Sequence, residues 1–124
     1  MNPQDLLYTA SHEWVRREAV VTIGITDFAQ DQLGDVVFVE VPEPGASLKK
    51  GDPFGSVESV KTVSDLYAPI SGTIVEVNSA LVDRPELVNS SPYDSGWLLK
   101  VDPDPAEDFA DLLDSAAYES RIAH

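Results

Sequence analysis

The chemistry open to this chain is narrow. It contains no cysteine, one methionine (Met1) and two histidines, His12 and His124. Without cysteine there is no thiol nucleophile, thiolate metal site or disulfide framework, so any sulfur redox chemistry must come from an attached cofactor. His12 and Glu13 have the composition of a base with its orienting carboxylate. Adjacent residues on a strand point to opposite faces, however, and the pair reads better as a polar strand entry. His124 is the final residue, so the two histidines do not suggest a metal site. What remains is Lys61, in the middle of GDPFGSVESVKTVSDLYAPISG, residues 51–72. Val57, Val60 and Val63 surround it, and Glu58 and Asp65 are the nearest charges.

The elements around Lys61 must display it. Phe54, Val57 and Val60 precede it, and Val63, Leu66, Tyr67 and Ile70 follow. Pro53, Gly55, Pro69 and Gly72 break any helix, so the stretch predicts two strands meeting at a tight turn. Pro69 suits an edge or a bend rather than a central strand. A lysine at such a tip is solvated, mobile and reachable by other proteins.

Leu6, Leu7 and Tyr8 pin a short N-terminal arm. Trp14-Val15 and Val20 to Ile25 predict a hairpin turning at Glu18-Ala19. Residues 26–34 predict a short helix with Thr26 as N-cap, Asp27 in the first turn and Gly34 as the stop, Phe28 and Leu33 packing inward. Residues 35–41 are almost continuously apolar, which predicts a strand that is buried on both faces or central. Pro42 to Gly45 end it with turn chemistry. Strands are expected over 73–77 and 97–101, joined by a loop or helical turn and then a turn-rich segment tied down by Leu87, Val88 and Tyr93. Asp104-Pro105-Ala106-Glu107 has the pattern of an N-cap, first-turn proline and capping box. With Phe109, Leu112, Leu113 and Ala116 at helical spacing, it predicts a C-terminal helical segment over about 104–122. Asp114 could cap a second short helix carrying Tyr118 and Ile122. Gly34-Asp35-Val36-Val37 is echoed by Gly72-Thr73-Ile74-Val75, which suits two interlocking halves of a small antiparallel sandwich.

The 124 residues, 43% hydrophobic, suffice for one domain with one core. Against 8 basic residues stand 22 acidic ones, a formal net charge of −14. That balance disfavours nucleic acid and anionic membranes. It favours a soluble monomer and can steer basic partner surfaces. No apolar run approaches the ~20 residues that span a bilayer, and MNPQDLLYTA lacks the features of a signal peptide. A cytoplasmic location is expected for a bacterial chain, or the mitochondrial matrix for a processed organellar one.

Four segments closely resemble the H-protein family of the glycine cleavage system. They are YTASHEWV, VTIGITDFAQDQLGDVVFVEVPEPG, GDPFGSVESVKTVSDLYAPISGTIVEVN and LVNSSPYDSGWLLKV, together covering about residues 8–101. DFADLLDSAAYE matches the family's closing helix more loosely. The resemblance implies a mainly β fold: a flattened antiparallel β-sandwich, the lipoyl/biotinyl hammerhead, with short peripheral helices and a C-terminal helix. It implies a single lipoyl-carrier domain over 1–124, with a core over about 12–101.

It further implies that Lys61 carries lipoic acid in amide linkage and that the chain is a non-catalytic carrier. The arm would take an aminomethyl group from glycine decarboxylase (P protein) and deliver it to the aminomethyltransferase (T protein). Dihydrolipoamide dehydrogenase (L protein) would reoxidise it. A lipoate ligase or lipoyl transferase would install it, with Glu58, Val60 and Thr62 expected in recognition. Glu13 and Asp65 match positions where the loaded arm rests, with Ser64, Leu66 and Tyr67 as neighbours. A carboxylate there could hold the aminomethyl ammonium by a charge-assisted hydrogen bond. The alternative is a lipoyl carrier or relay for 2-oxo acid dehydrogenase complexes. The shorter modules of those complexes usually adjoin Ala/Pro linkers, which this chain lacks. Biotin carriers place methionine on both sides of the lysine, where this chain has Val60 and Thr62. No nucleophile–base pair, phosphate loop or metal spacing supports an independent enzyme.

Overall fold

The computed structural model describes residues 3, 5–105, 109 and 112–122. Among these residues the chain forms nine strands, paired antiparallel, and four short helices. β1 (Leu7–Tyr8), β2 (Glu13–Arg16), β3 (Val21–Ile25), β5 (Ser47–Leu48), β8 (Gly72–Val77) and β9 (Leu99–Pro103) build a six-stranded sheet in the order β1-β2-β3-β9-β8-β5. β4 (Val36–Glu40), β6 (Pro53–Ser59) and β7 (Val63–Tyr67) build a three-stranded sheet in the order β4-β6-β7. The helices are α1 (Asp27–Leu33), α2 (Ala80–Asp83), α3 (Leu87–Ser90) and α4 (Ser115–Ile122).

Buried residues from both sheets meet in one apolar core, among them Val15, Ile23, Val57, Leu66, Ile74 and Val101. Burying an aliphatic side chain of this size contributes about 1.5–3 kcal/mol. This is the expected antiparallel sandwich. Trp14, next to Val15, points to the other face of its strand. There it joins a separate cluster with Leu6, Tyr8 and Tyr118. Its indole lies flat against Gly24, its cross-strand partner: a Cβ on residue 24 would stand 2.5 Å from Trp14 Cε2. The two clusters sandwich β2 and β3, whose residues Val21 to Ile25 are all buried.

Two expectations are corrected. The apolar run 35–41 is not central: β4 lies at the edge of the three-stranded sheet, with Val37 46% and Phe38 53% exposed. A register shift between Val36 and Phe38 turns part of the run outward, so its continuous apolarity does not mark double-sided burial. The C-terminal helix begins at Ser115, not near 104. Leu113 instead pairs with Tyr8, each N–H donating to the other's carbonyl at 2.7 Å. Phe109 has φ +61°, and Asp104 N–H donates to Ser71 O at 3.0 Å. Core packing and sheet pairing thus use Phe109 and Leu113, two of the apolar residues that suggested a helix opening at Asp104. Ala106 and Glu107 of the proposed capping box lie outside the described residues. The shorter helix headed by Asp114 is present, with Ala117 N–H donating to Asp114 Oδ1 at 2.8 Å.

Candidate functional site

β6 and β7 pair from Pro53 opposite Tyr67 to Glu58 opposite Val63, leaving Lys61 at the hairpin tip. Ser59, 6% exposed, organises the turn. Its N–H donates to Thr62 O at 2.8 Å, and its Oγ accepts from Thr62 N–H at 3.1 Å and Lys61 N–H at 3.3 Å. Val60 N–H donates to Asp35 O at 3.0 Å, so the tip rests on the corner between α1 and β4. Lys61 is exposed. Its stem passes over Gly34, where a Cβ would lie 3.2 Å from Lys61 Cε. Gly34 ends α1 at φ +82°, a left-handed conformation that glycine adopts freely. Asn89 of α3 fixes this corner: its Nδ2 donates to Gly34 O at 2.8 Å and Gln30 Oε1 at 3.0 Å, and its Oδ1 accepts from Val36 N–H at 2.8 Å.

Beside the tip lies a cleft of about 400 Å³. The turn Ser11-His12-Glu13, α1 through Phe28, Ala29, Gln32 and Leu33, and the hairpin through Val57 and Thr62 to Leu66 form its walls, together with Ile25. The lining is mixed: Ile25, Phe28, Leu33, Val57, Val63 and Leu66 give it an apolar wall, and Glu13, Ser11 and Asp65 are among its polar groups. Glu13 shares its face of β2 with Val15, so its carboxylate enters the space between the sheets and is 1% exposed. Oε1 accepts from Thr9 Oγ at 2.6 Å and Ser11 Oγ at 2.5 Å. Oε2 accepts from Tyr67 N–H on β7 at 3.3 Å, joining the two sheets. All three of these donors are neutral. Burial raises the Glu13 pKa, against the lowering effect of the Ser11, Thr9 and Tyr67 hydrogen bonds.

His12 does not pair with Glu13. It has φ +73°, and its Nδ1 lies 2.8 Å from the Tyr118 hydroxyl on the other face of the sheet. Burial lowers its pKa. The base–carboxylate pair is therefore absent, because His12 lies in the turn before β2 and its ring is engaged by Tyr118.

The structure brings Glu13, Thr62, Ser64, Asp65 and Leu66 together at the cleft. Tyr67 is placed differently: its backbone N–H holds Glu13, while its side chain is not among the lining. Glu58 and Val60 also lie outside the cleft lining. Glu58 pairs with Phe38 on one side and Val63 on the other, forming a row across the three-stranded sheet. With Val60 and Val63 at 69% and 61% exposed, this row is apolar with a carboxylate at its centre. Ser59 and Asn89 carry no signal in the sequence. Both are ordinary polar residues in their segments, and only the backbone groups they satisfy reveal their role. Among the described residues no cluster of three or more His, Asp or Glu could hold a metal ion. No described helix is long and apolar enough to cross a membrane.

The site fits an amphipathic acyl group on Lys61. The amine is exposed, the two described ion pairs, Arg84–Glu86 and Lys100–Glu76, leave it out, and the neighbouring cleft has apolar walls with a buried carboxylate. Residues 6–124 match the family model described as glycine cleavage H-protein. The chain is 58% identical over 121 residues to the glycine cleavage system H protein of Oceanobacillus iheyensis, covering 97% of this chain and 96% of that one. It is 60% identical over 121 residues to the protein of that name from Geobacillus kaustophilus, covering 97% and 95%. The crystal structure of a glycine cleavage system H protein from Mycobacterium marinum superposes with a TM-score of 0.91 at 44% identity, covering 99% of this chain and all of that one.

Proposed function

The chain belongs to the glycine cleavage H-protein family, and from that premise we propose that it is a non-catalytic carrier whose Lys61 bears lipoic acid. The observation that carries this reading is an exposed lysine at a hairpin tip beside a cleft with a buried carboxylate held only by neutral donors. When bound, the lipoyl group supplies a disulfide that takes up the aminomethyl group derived from glycine and a dithiol that is later reoxidised.

The chain's own residues do the rest. Ser59 and Asp35 hold the tip so that the Lys61 amine faces solvent and a lipoate ligase or transferase can acylate it. Amide formation removes the lysine charge and leaves a tether, which keeps the cargo at high effective concentration near each partner. The apolar cleft wall accepts the arm. Glu13, with Asp65 nearby, receives the cargo ammonium through a charge-assisted hydrogen bond. Ser64 and Leu66 border the arm, and Tyr67 contributes by orienting Glu13. Exclusion of water there slows loss of the cargo.

Glu58, Val60 and Thr62, with Phe38 and Val63 beside them, form the surface met by the ligase and by the P, T and L proteins. A net charge of −14 favours partners with basic rims and opposes self-association, so the carrier is a monomer. Its bacterial relatives support a cytoplasmic location.

Peptide-resolved mass spectrometry after treatment with a lipoate ligase, then with glycine and glycine decarboxylase, tests this reading. Lys61 gains the lipoyl mass and, only with glycine, the aminomethyl mass, while Lys61→Arg gains neither. Lipoylation without glycine-dependent loading would reassign the chain to another complex, and no lipoylation at Lys61 would overturn the proposal.

A further inference from the structure

Two of the cleft's walls, the Ser11–Glu13 turn and α1, meet on one side chain outside the cleft. Tyr118 of α4 is fully buried, and its ring stacks on Tyr8 with centroids 4.7 Å apart and planes 11° from parallel. Its hydroxyl lies 2.7 Å from Thr26 Oγ and 2.8 Å from His12 Nδ1. Thr26 is the N-cap of α1, its Oγ accepting from Ala29 N–H at 3.2 Å, and its own N–H donates to His12 O at 3.0 Å.

The protons can be placed in a consistent chain. Thr26 Oγ accepts from Ala29 N–H and can at the same time give its own hydrogen to the Tyr118 oxygen. The Tyr118 hydrogen then goes to His12 Nδ1, which selects neutral imidazole with its proton on Nε2. Burial, which lowers the His12 pKa and pushes the Tyr118 hydroxyl up to about 12, acts in the same direction. His12 itself is held at φ +73°, a conformation that non-glycine residues adopt only when their surroundings impose it. Its ring sits 4.8 Å from that of Phe28 and forms part of the cleft wall next to Glu13. Without the hydroxyl, neither the turn's backbone conformation nor its distance from α1 keeps its side-chain tie.

We propose that Tyr118 is a positioning residue for the arm-binding cleft. Acting through His12 and Thr26, it holds the Glu13 turn against α1 so that a loaded arm is shielded from water. This deepens the carrier reading and rests on it. The element that secures the cargo thus lies in the C-terminal helix, on the opposite face of the six-stranded sheet from Glu13.

The test uses the full-length chain. In the unlipoylated protein, ¹⁵N imidazole spectra report the His12 tautomer. In the loaded protein, ammonium release without T protein reports hydrolysis: water attacks the cargo carbon, the C–S bond breaks, and thiol, formaldehyde and ammonium leave. Tyr118→Phe keeps the stacked ring, so it is expected to lose Nε2–H selection and to release ammonium about fivefold faster, the size of one ordinary hydrogen bond. His12→Ala, which removes the imidazole, is expected to raise the release rate by a similar factor. His12→Asn, which tolerates a positive φ and offers an acceptor oxygen, should recover most of the protection. Should Tyr118→Phe fold poorly, the two His12 variants carry the test, since both leave the tyrosine stack intact. Release rates unchanged in both Tyr118→Phe and His12→Ala would overturn the inference while leaving the carrier reading in place. If the wild-type loaded protein released ammonium as fast as its urea-unfolded form, the docking reading would fail and the inference with it.

Discussion

Lys61 and Glu13 border the same cleft but come from different sheets. Lys61 sits at the end of the three-stranded sheet, exposed, its stem lying over a bare glycine. Glu13 sits in the six-stranded sheet, 1% exposed, with three donors on its two oxygens. The supports behind them differ in the same sense. Behind Lys61 are one serine, one backbone carbonyl and a glycine corner. Behind Glu13 are Trp14, Tyr8 and Tyr118, all fully buried. The proposed carrier role would need this asymmetry. The handle must be free to move between partners, while the surface that receives it must already be shaped, because ordering it afterwards would consume binding free energy.

Three substitutions test that contrast. The largest effect is expected from Gly24→Ala. The new methyl group would stand 2.5 Å from the Trp14 indole, forcing the rigid side to repack at a cost of about 1–3 kcal/mol. Urea titration should show a lower midpoint with an unchanged slope. A midpoint equal to wild type would mean that the Trp14 side is as compliant as the hairpin. Ser59→Ala comes next. Its Oγ accepts from the Lys61 and Thr62 N–H groups, and losing that acceptor is expected to cost about 1 kcal/mol. A ligase time course should show Lys61 still modified to completion, about threefold slower because the turn is less ordered. A stability loss larger than that of Gly24→Ala would reverse the proposed asymmetry.

The smallest effect is that of Glu13→Gln, and it depends on pH. Burial raises this carboxyl's pKa, so the folded chain holds the proton more tightly than the unfolded chain does. Its stabilising contribution is complete below the unfolded glutamate value of about 4.3 and is lost as pH rises through the folded value. Relative to wild type, Glu13→Gln should therefore gain thermal stability as pH rises from 4 to 8, read as a change in the Tm difference smaller than the shift from Ser59→Ala. It should also retain a loaded arm less well. A Tm difference that stays flat across that range would show that the three donors fully compensate for burial.

The hairpin was legible in the sequence because its signals are local: valines before and after Lys61, with proline and glycine at both ends. The Thr26 cap and Gly34 stop of α1 were legible for the same reason. The position of β4 was not, because apolarity records how much of a strand is greasy and not what covers it; Phe38 meets a carboxylate and a valine across the sheet instead of a second layer. The C-terminal segment misled in another way. Leu112 and Leu113 have helical spacing, yet the edge of β1 offers Leu113 two backbone hydrogen bonds that spacing cannot register. Of the site, Lys61, Glu13 and Asp65 were accessible through family resemblance. Ser59, Asn89 and the Tyr118 hydroxyl matter through partners far apart in the chain, Asn89 reaching back 55 residues to Gly34 and Tyr118 reaching 106 to His12.

The register shift in β4 bears on colloidal behaviour. A straight edge strand with exposed Val37 and Phe38 would be a template for sheet-to-sheet addition between molecules. By breaking the regular spacing of the edge between Val36 and Phe38, the bulge denies an incoming strand a continuous ladder of donors and acceptors. The surface beside the lysine can therefore stay apolar while its edge resists the addition of further strands.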